Sequence, residues 1–268
     1  MCRDKTEFLR TITPQIFVVA KARRVGWPML ALNQSAASSF TYVDMSATLA
    51  AAPGRDASSA LNCGAATTRS GLVIFAPRNE DGVVAFNASS GEASFFDTET
   101  VGLPMSTQKF CGAVAAADGT KVVFVPRSEL SVGVFDTAGN TYSSTALDMS
   151  LLSASKYVFN GGALAPNGLV ILTPRNTAGV GIFDADANAF SYVDISATIE
   201  HTFMFEGAAT AANGQVVFAP NRATSVGVFD AETMTFSLTV DLTSTLAPNA
   251  NKFCGCETAL DGVVVFAA

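Results

Sequence analysis

Arg78, Arg127, Arg175 and Arg222 recur behind apolar, β-branched runs that close on Pro77, Pro126, Pro174 and Pro220. A guanidinium is a planar, positively charged fork that grips carboxylate and phosphate oxygens two at a time. Four of them gathered on one face of an acidic chain would form a seat for an anionic ligand. Arg23, behind the similar run "VVAKA", is a candidate fifth. A structural reading competes: Asp148, Asp194 and Asp241 end neighbouring segments, and each could neutralise one arginine in a pair copied with the repeat.

A second set stands one residue before recurring glycines: Cys63, Cys111, Asn160, Glu206 and Cys254. Thiols with a carboxylate are ligand types for zinc or a softer metal. The short Cys-x-x-Cys spacing of most zinc sites is absent, however, and Cys254 and Cys256 would point to opposite faces of a strand. The set reads instead as small side chains lining a central channel, with no metal and no cofactor expected. Five cysteines match no small disulfide framework, so reduced thiols in an intracellular, cytoplasmic setting are expected, with organelle targeting left open. His201, the single histidine, sits beside Glu200 and reads as solvated. No Gly-x-Ser-x-Gly elbow, phosphate-binding glycine loop or paired-carboxylate motif occurs.

The elements that would position these residues are set by an internal repeat. Gly64, Gly112, Gly161, Gly207 and Gly255 are spaced by 48, 49, 46 and 48 residues. Four of the five copies carry a phenylalanine two places before the glycine (Phe110, Phe159, Phe205, Phe253), and four reach an Asp-Gly or Asn-Gly pair: Asp118-Gly119, Asn167-Gly168, Asn213-Gly214, Asp261-Gly262. Such pairs predict hairpins in which both turn positions take positive φ. A β-branched run to the proline follows, then a "VGVFD"-type strand closed by Asp136, Asp184 or Asp230, then a strand holding Phe95, Tyr142, Phe190 or Phe236. Four strands per period of about 48 residues predict an all-β propeller. Five blades are favoured, with six as the alternative. The last copy, from Lys252, stops half-way, and "LALNQSAASSFTYVDMS" from Leu30 resembles the missing half. The ring is therefore expected to close by pairing strands from the two ends, with residues 1–15 as an extension and 16–268 as one domain. In each hairpin the start of the first strand lies beside the end of the second, so the arginines and the channel residues should share one rim.

Composition fits this reading. Apolar residues make up 49% of the chain, enough for a continuous core, and the formal net charge of −7 argues against a nucleic-acid partner. Six of the 16 basic residues fall within the first 24 positions, without the apolar stretch of a secretory signal. No apolar run is long enough for a membrane helix, and no membrane partner is expected.

The pattern aromatic-x-Gly-Ala, Asn/Asp-Gly, strand, Pro, "VGVFD-x-x-T-x-x-F" resembles the repeats of YVTN-type and kelch-like propellers. The resemblance covers nearly all the chain past residue 15 and implies the fold, saying almost nothing of activity. Gluconolactonase-like relatives carry carboxylates and asparagines around a divalent metal, and no such cluster is found here. A non-catalytic binding or scaffold propeller is expected, with a protein or a small anion as its partner on the arginine face. The alternatives are a hydrolase or lactonase using Glu206 and Glu257 in the channel, and a lectin holding one sugar per blade.

Overall fold

The computed structural model describes residues 28–32, 40–44, 61–97, 101–104, 106–148, 156–199, 203–246 and 251–267. A leading hairpin joins β1 (Pro28–Leu32) to β2 (Phe40–Asp44). Four complete blades follow, each an antiparallel sheet of four strands in chain order. The first contains β3 (Asn62–Thr67), β4 (Leu72–Pro77), β5 (Gly82–Asn87) and β6 (Ala93–Asp97). The second contains β7 (Phe110–Ala115), β8 (Lys121–Pro126), β9 (Ser131–Asp136) and β10 (Thr141–Ala146). The third contains β11 (Phe159–Leu164), β12 (Val170–Pro174), β13 (Gly179–Asp184) and β14 (Ala189–Asp194). The fourth contains β15 (Phe205–Thr210), β16 (Val216–Pro220), β17 (Ser225–Asp230) and β18 (Thr235–Asp241). A fifth sheet has two strands, β19 (Gly255–Thr258) and β20 (Val264–Ala267). The chain is an all-β propeller.

Burial follows from stacking sheet on sheet. The second and third strands of each complete blade are covered on both faces and read as continuous apolar runs, while the outermost strand is largely exposed. Alternate side chains serve opposite neighbours. In the second blade, Phe110, Val122, Phe124 and Phe135 pack against Ile74, Ala76, Val83 and Ala85 of the first. Val123, Val125, Val132 and Val134 of that same blade pack against Phe159, Val170, Leu172 and Phe183 of the third. The third and fourth blades meet in the same way through Ile171, Val180, Phe205 and Phe218.

The hairpins between first and second strands differ from expectation in one respect. Only the glycine has positive φ: Gly119 (75°), Gly168 (86°), Gly214 (85°) and Gly262 (83°). The preceding Asp or Asn contributes its side chain instead. Asp118 Oδ1 accepts from Thr120 N–H (2.9 Å), and Asp261 Oδ1 from Val263 N–H (3.1 Å). The three-residue reach of Gly119 N–H to the Ala116 carbonyl (3.0 Å) makes a longer turn than a two-residue hairpin loop. The aspartates closing the third strands act as expected: Asp184 Oδ1 accepts from Asp186 and Ala187 N–H, and Asp230 Oδ1 from Glu232 and Thr233 N–H.

The closing pairing expected between the two ends is not among the sheets of the described residues. There β20 pairs with β19 and β1 with β2, as two separate two-stranded sheets. The β1–β2 hairpin pairs in register from Pro28–Asp44 to Leu32–Phe40. The "VVAKAR" segment with Arg23, and His201, lie outside the described residues.

Candidate functional site: the arginine rim

The innermost strands meet through their glycines. A Cβ on Gly64 would lie 2.9 Å from the Gly112 Cα, one on Gly112 2.6 Å from Gly161, and ones on Gly161 and Gly207 2.8 Å from Gly207 and Gly255. Close approach is half of the explanation for these residues. The other half is a bulge. The pairing of first and second strands shifts between Asn62 and Ala65, Phe110 and Ala113, Phe159 and Gly162, and Phe205 and Ala208. At each shift an inner residue and its glycine stand where one residue would pair. The glycines have φ of 88°, 111°, 80° and 84° in the four blades. A bulge re-aims the side chain it carries, and those carried here are Cys63, Cys111, Asn160 and Glu206. Cys254 precedes β19, where its N–H donates to the Ala267 carbonyl (2.8 Å).

Cys63 and Cys111 are joined as a disulfide, and Cys254 is disulfide-bonded as well. This corrects the expectation of reduced thiols. The repeat period sets Cys63 and Cys111 at equivalent places on neighbouring inner strands, which spacing along the chain hides. Cys256 remains a free thiol, pushed up to about 12 by burial, with its Sγ 3.7 Å from the Val217 carbonyl.

Around this inner set runs a belt of backbone hydrogen bonds. Arg78 N–H donates to the Leu61 carbonyl, and the Arg78 carbonyl accepts from Lys109 N–H (2.8 and 2.9 Å). Lys109 in turn accepts from Arg127, Arg127 from Val158, Val158 from Arg175, and Arg175 from Met204, all at 2.8–3.0 Å. Each arginine thus bridges its own blade to the next. Arg222 is displaced from this column. The fourth repeat reads Pro220-Asn221-Arg222, so Asn221 takes the belt position, donating to Met204 and accepting from Lys252 (2.8 and 3.0 Å). Its Nδ2 also donates to the Phe253 carbonyl (2.9 Å). Arg222 sits one place further out, its Nε 3.3 Å from Asn251 Oδ1.

The guanidiniums rest on aromatic rings. Arg127 lies 4.9 Å from the Tyr157 centroid, and Arg175 and Arg222 lie 5.0 and 4.6 Å from that of Phe203. Tyr157 and Phe203 hold left-handed backbone, φ 58° and 51°, as does Gln108 at the equivalent place. Bulky residues avoid that region unless the surroundings impose it. For Phe203 the brace is visible: its N–H donates to Asn176 Oδ1 (2.9 Å), as Gln108 N–H does to Asn79 Oδ1 (2.8 Å). These platforms carry no sequence signal beyond standing two residues before the first residue of an inner strand.

One arginine is neutralised. Arg175 Nη1 lies 2.7 Å from Glu206 Oε1, with side chains only 11% and 13% exposed. Arg78 and Arg127 have no ion-pair partner among the described residues. Of the candidate aspartates, Asp194 Oδ1 accepts from Ser196 N–H and Asp241 Oδ1 from Thr243 N–H (both 2.8 Å). Burial, with Arg175 and Arg78 close by, pushes the Arg127 guanidinium down to about 10. Arg175 is lowered by burial too, with Glu206 opposing the shift. The Nε atoms of Arg78, Arg127 and Arg175 are all buried without a hydrogen-bond partner. Among the described residues no three His, Cys, Asp or Glu side chains are grouped to hold a metal, and no helix is long and apolar enough to cross a membrane.

No protein-family model matches the chain, and no curated protein matches it in sequence. Solved structures do. Streptogramin B lyase is 17% identical, with a TM-score of 0.66 over 90% of this chain and 69% of that one. Virginiamycin B lyase from Staphylococcus aureus is 14% identical, with a TM-score of 0.61 over 77% of this chain and 62% of that one. The extracellular domain of BT4673 from B. thetaiotaomicron is 12% identical, with a TM-score of 0.63 over 97% of this chain and 31% of that one. The chain therefore spans less than two thirds of the length of two of these three. At such identities the likeness shows the β-propeller fold alone.

Proposed function

We propose that this chain is a non-catalytic binding propeller whose arginine rim receives an anionic ligand, either a small molecule or an acidic group on a protein. The observation that carries the reading is the imbalance of the rim. Arg78, Arg127 and Arg175 converge with Glu206 as the one carboxylate paired to them among the described residues. Like charges crowded at partial burial repel one another until something neutralises them. The near-uniform blades suit binding better than catalysis, since an enzyme must break symmetry to build one site. The channel hydrolase is weakened because Glu206 is engaged by Arg175 and Glu257 is exposed. The lectin is weakened because the Tyr157 and Phe203 rings already lie against guanidiniums. The resemblance to YVTN-type and kelch-like repeats fits this reading, and the cysteine pairing suits an oxidising compartment better than the cytoplasm. The test is calorimetric titration with acidic small molecules and acidic peptides at rising salt. Salt-sensitive binding that disappears in the Arg127→Gln, Arg175→Gln double variant supports it, and binding that ignores both salt and those substitutions overturns it.

A further inference from the structure

Each blade interface repeats one arrangement, and the repeat has filled it differently each time. The carbonyls of Arg78, Arg127 and Arg175 each accept an N–H from the residue two places before the next inner side chain: Lys109 before Cys111, Val158 before Asn160, Met204 before Glu206. The register therefore sets Cys111 beside Arg78, Asn160 beside Arg127 and Glu206 beside Arg175. At the last of these the protein supplies a counter-ion 2.7 Å from the guanidinium. At the first, the sulfur is bonded to Cys63. At the middle one stands a neutral amide, Asn160, only 8% exposed and with a buried Oδ1 that has no hydrogen-bond partner.

We propose that this middle slot binds one oxyanion, the carboxylate of an organic acid or a phosphate, held by Arg127 and Arg78 at Asn160 in the place the Glu206 carboxylate takes beside Arg175. The inference rests on the binding role of the rim and narrows it to one seat per chain instead of one per blade. Arg78 and Arg127 are held together by the belt, since both bond through the backbone of Lys109. Their Nε atoms are sealed, so an incoming anion meets the terminal nitrogens end-on. Tyr157 fixes the plane of the Arg127 fork from beneath. The Asn160 amide can turn its NH₂ toward the same oxygens, because an amide flip exchanges donor for acceptor at no cost in shape.

The experiment is isothermal titration of the intact chain at low salt, with succinate in one arm and inorganic phosphate in the other. One equivalent should bind, and the tighter arm identifies which source of oxyanion the slot prefers. Arg127→Gln and Arg78→Gln should each weaken binding about tenfold or more. Asn160→Glu should weaken it as much while raising the melting temperature, because it places a counter-ion where the ligand sits. Arg69→Gln, on the opposite rim, should leave binding unchanged. Glu206→Gln should add a second equivalent by freeing Arg175. Binding lost in Arg175→Gln or Arg222→Gln but kept in Arg127→Gln and Asn160→Glu would overturn this slot while leaving the rim a binding face. No heat in either arm, together with no binding of acidic peptides, would overturn the binding role itself.

Discussion

Cys63 and Cys111 are separated by 48 residues along the chain, and their Cα atoms are 4.6 Å apart. The pairing joins the innermost strands of the first two complete blades, so the cross-link closes one full repeat. Constraining a loop of that length removes unfolded-state entropy worth up to about 4 kcal/mol. Peptide mapping without reductant should recover the two segments as one species. Cys111→Ser should lower the urea midpoint without moving the arginine rim. Recovery of the two as separate peptides from freshly purified protein would contradict the pairing.

Arg127 and Arg175 should respond to substitution in opposite directions. Arg127 is partly buried among like charges, so Arg127→Gln removes an unfavourable charge. Discounted for solvent screening of its terminal nitrogens, the gain is on the order of 1 kcal/mol, or about 2 °C in Tm. Arg175→Gln strands Glu206 and should cost about 2 kcal/mol or more. Thermal melts at neutral pH and low salt check both. A shared direction for the two would show that the rim is not unbalanced as described.

The same depressed guanidinium gives a pH signature. A base whose pKa in the fold lies below its unfolded value disfavours its charged form there. The destabilisation is fully present below about pH 10 and is relieved as pH rises above it. The stability advantage of Arg127→Gln over the parent chain should therefore shrink across that window, and anion binding should fade with it. Paired melts at about pH 8 and above pH ~10 measure the difference.

Gly112→Ala should be among the most damaging single changes. It meets the Gly161 backbone at 2.6 Å, and the position has φ 111°, a region side chains avoid. The two effects together should cost about 3 kcal/mol. Gly255→Ala is the control: no atom lies within 4 Å of its added Cβ, and its φ is not in the positive range. Equal losses in the two variants would mean that the glycine column is not set by blade contact.

The blades were legible because the repeat writes the same strand order several times. The glycine spacing placed all five inner strands, and the shared rim of Arg78, Arg127 and Arg175 follows from hairpin geometry. The rest was hidden in offsets of one residue. Asn221 and Arg222 exchange the order seen at Arg78-Asn79 and Arg175-Asn176, which moves a guanidinium out of the column without changing composition. The bulges are silent because a two-for-one pairing needs the partner strand to be seen. The disulfide is silent because Cys63 and Cys111 are neighbours only after the sheets stack.

The belt through Leu61, Arg78, Lys109, Arg127, Val158, Arg175, Met204, Asn221 and Lys252 joins peptide groups, not side chains. It is therefore indifferent to how many units it passes through. Excising the span from Lys109 to Tyr157 would offer the Arg78 carbonyl to Val158 N–H, the donor that now bonds Arg127, and would set Gly64 against Gly161. Excising half a unit would leave a donor and an acceptor facing nothing. Such an arc can gain or shed whole units in descent without breaking a hydrogen bond along its rim. The curvature of the arc then follows from the apolar side chains packed between the sheets.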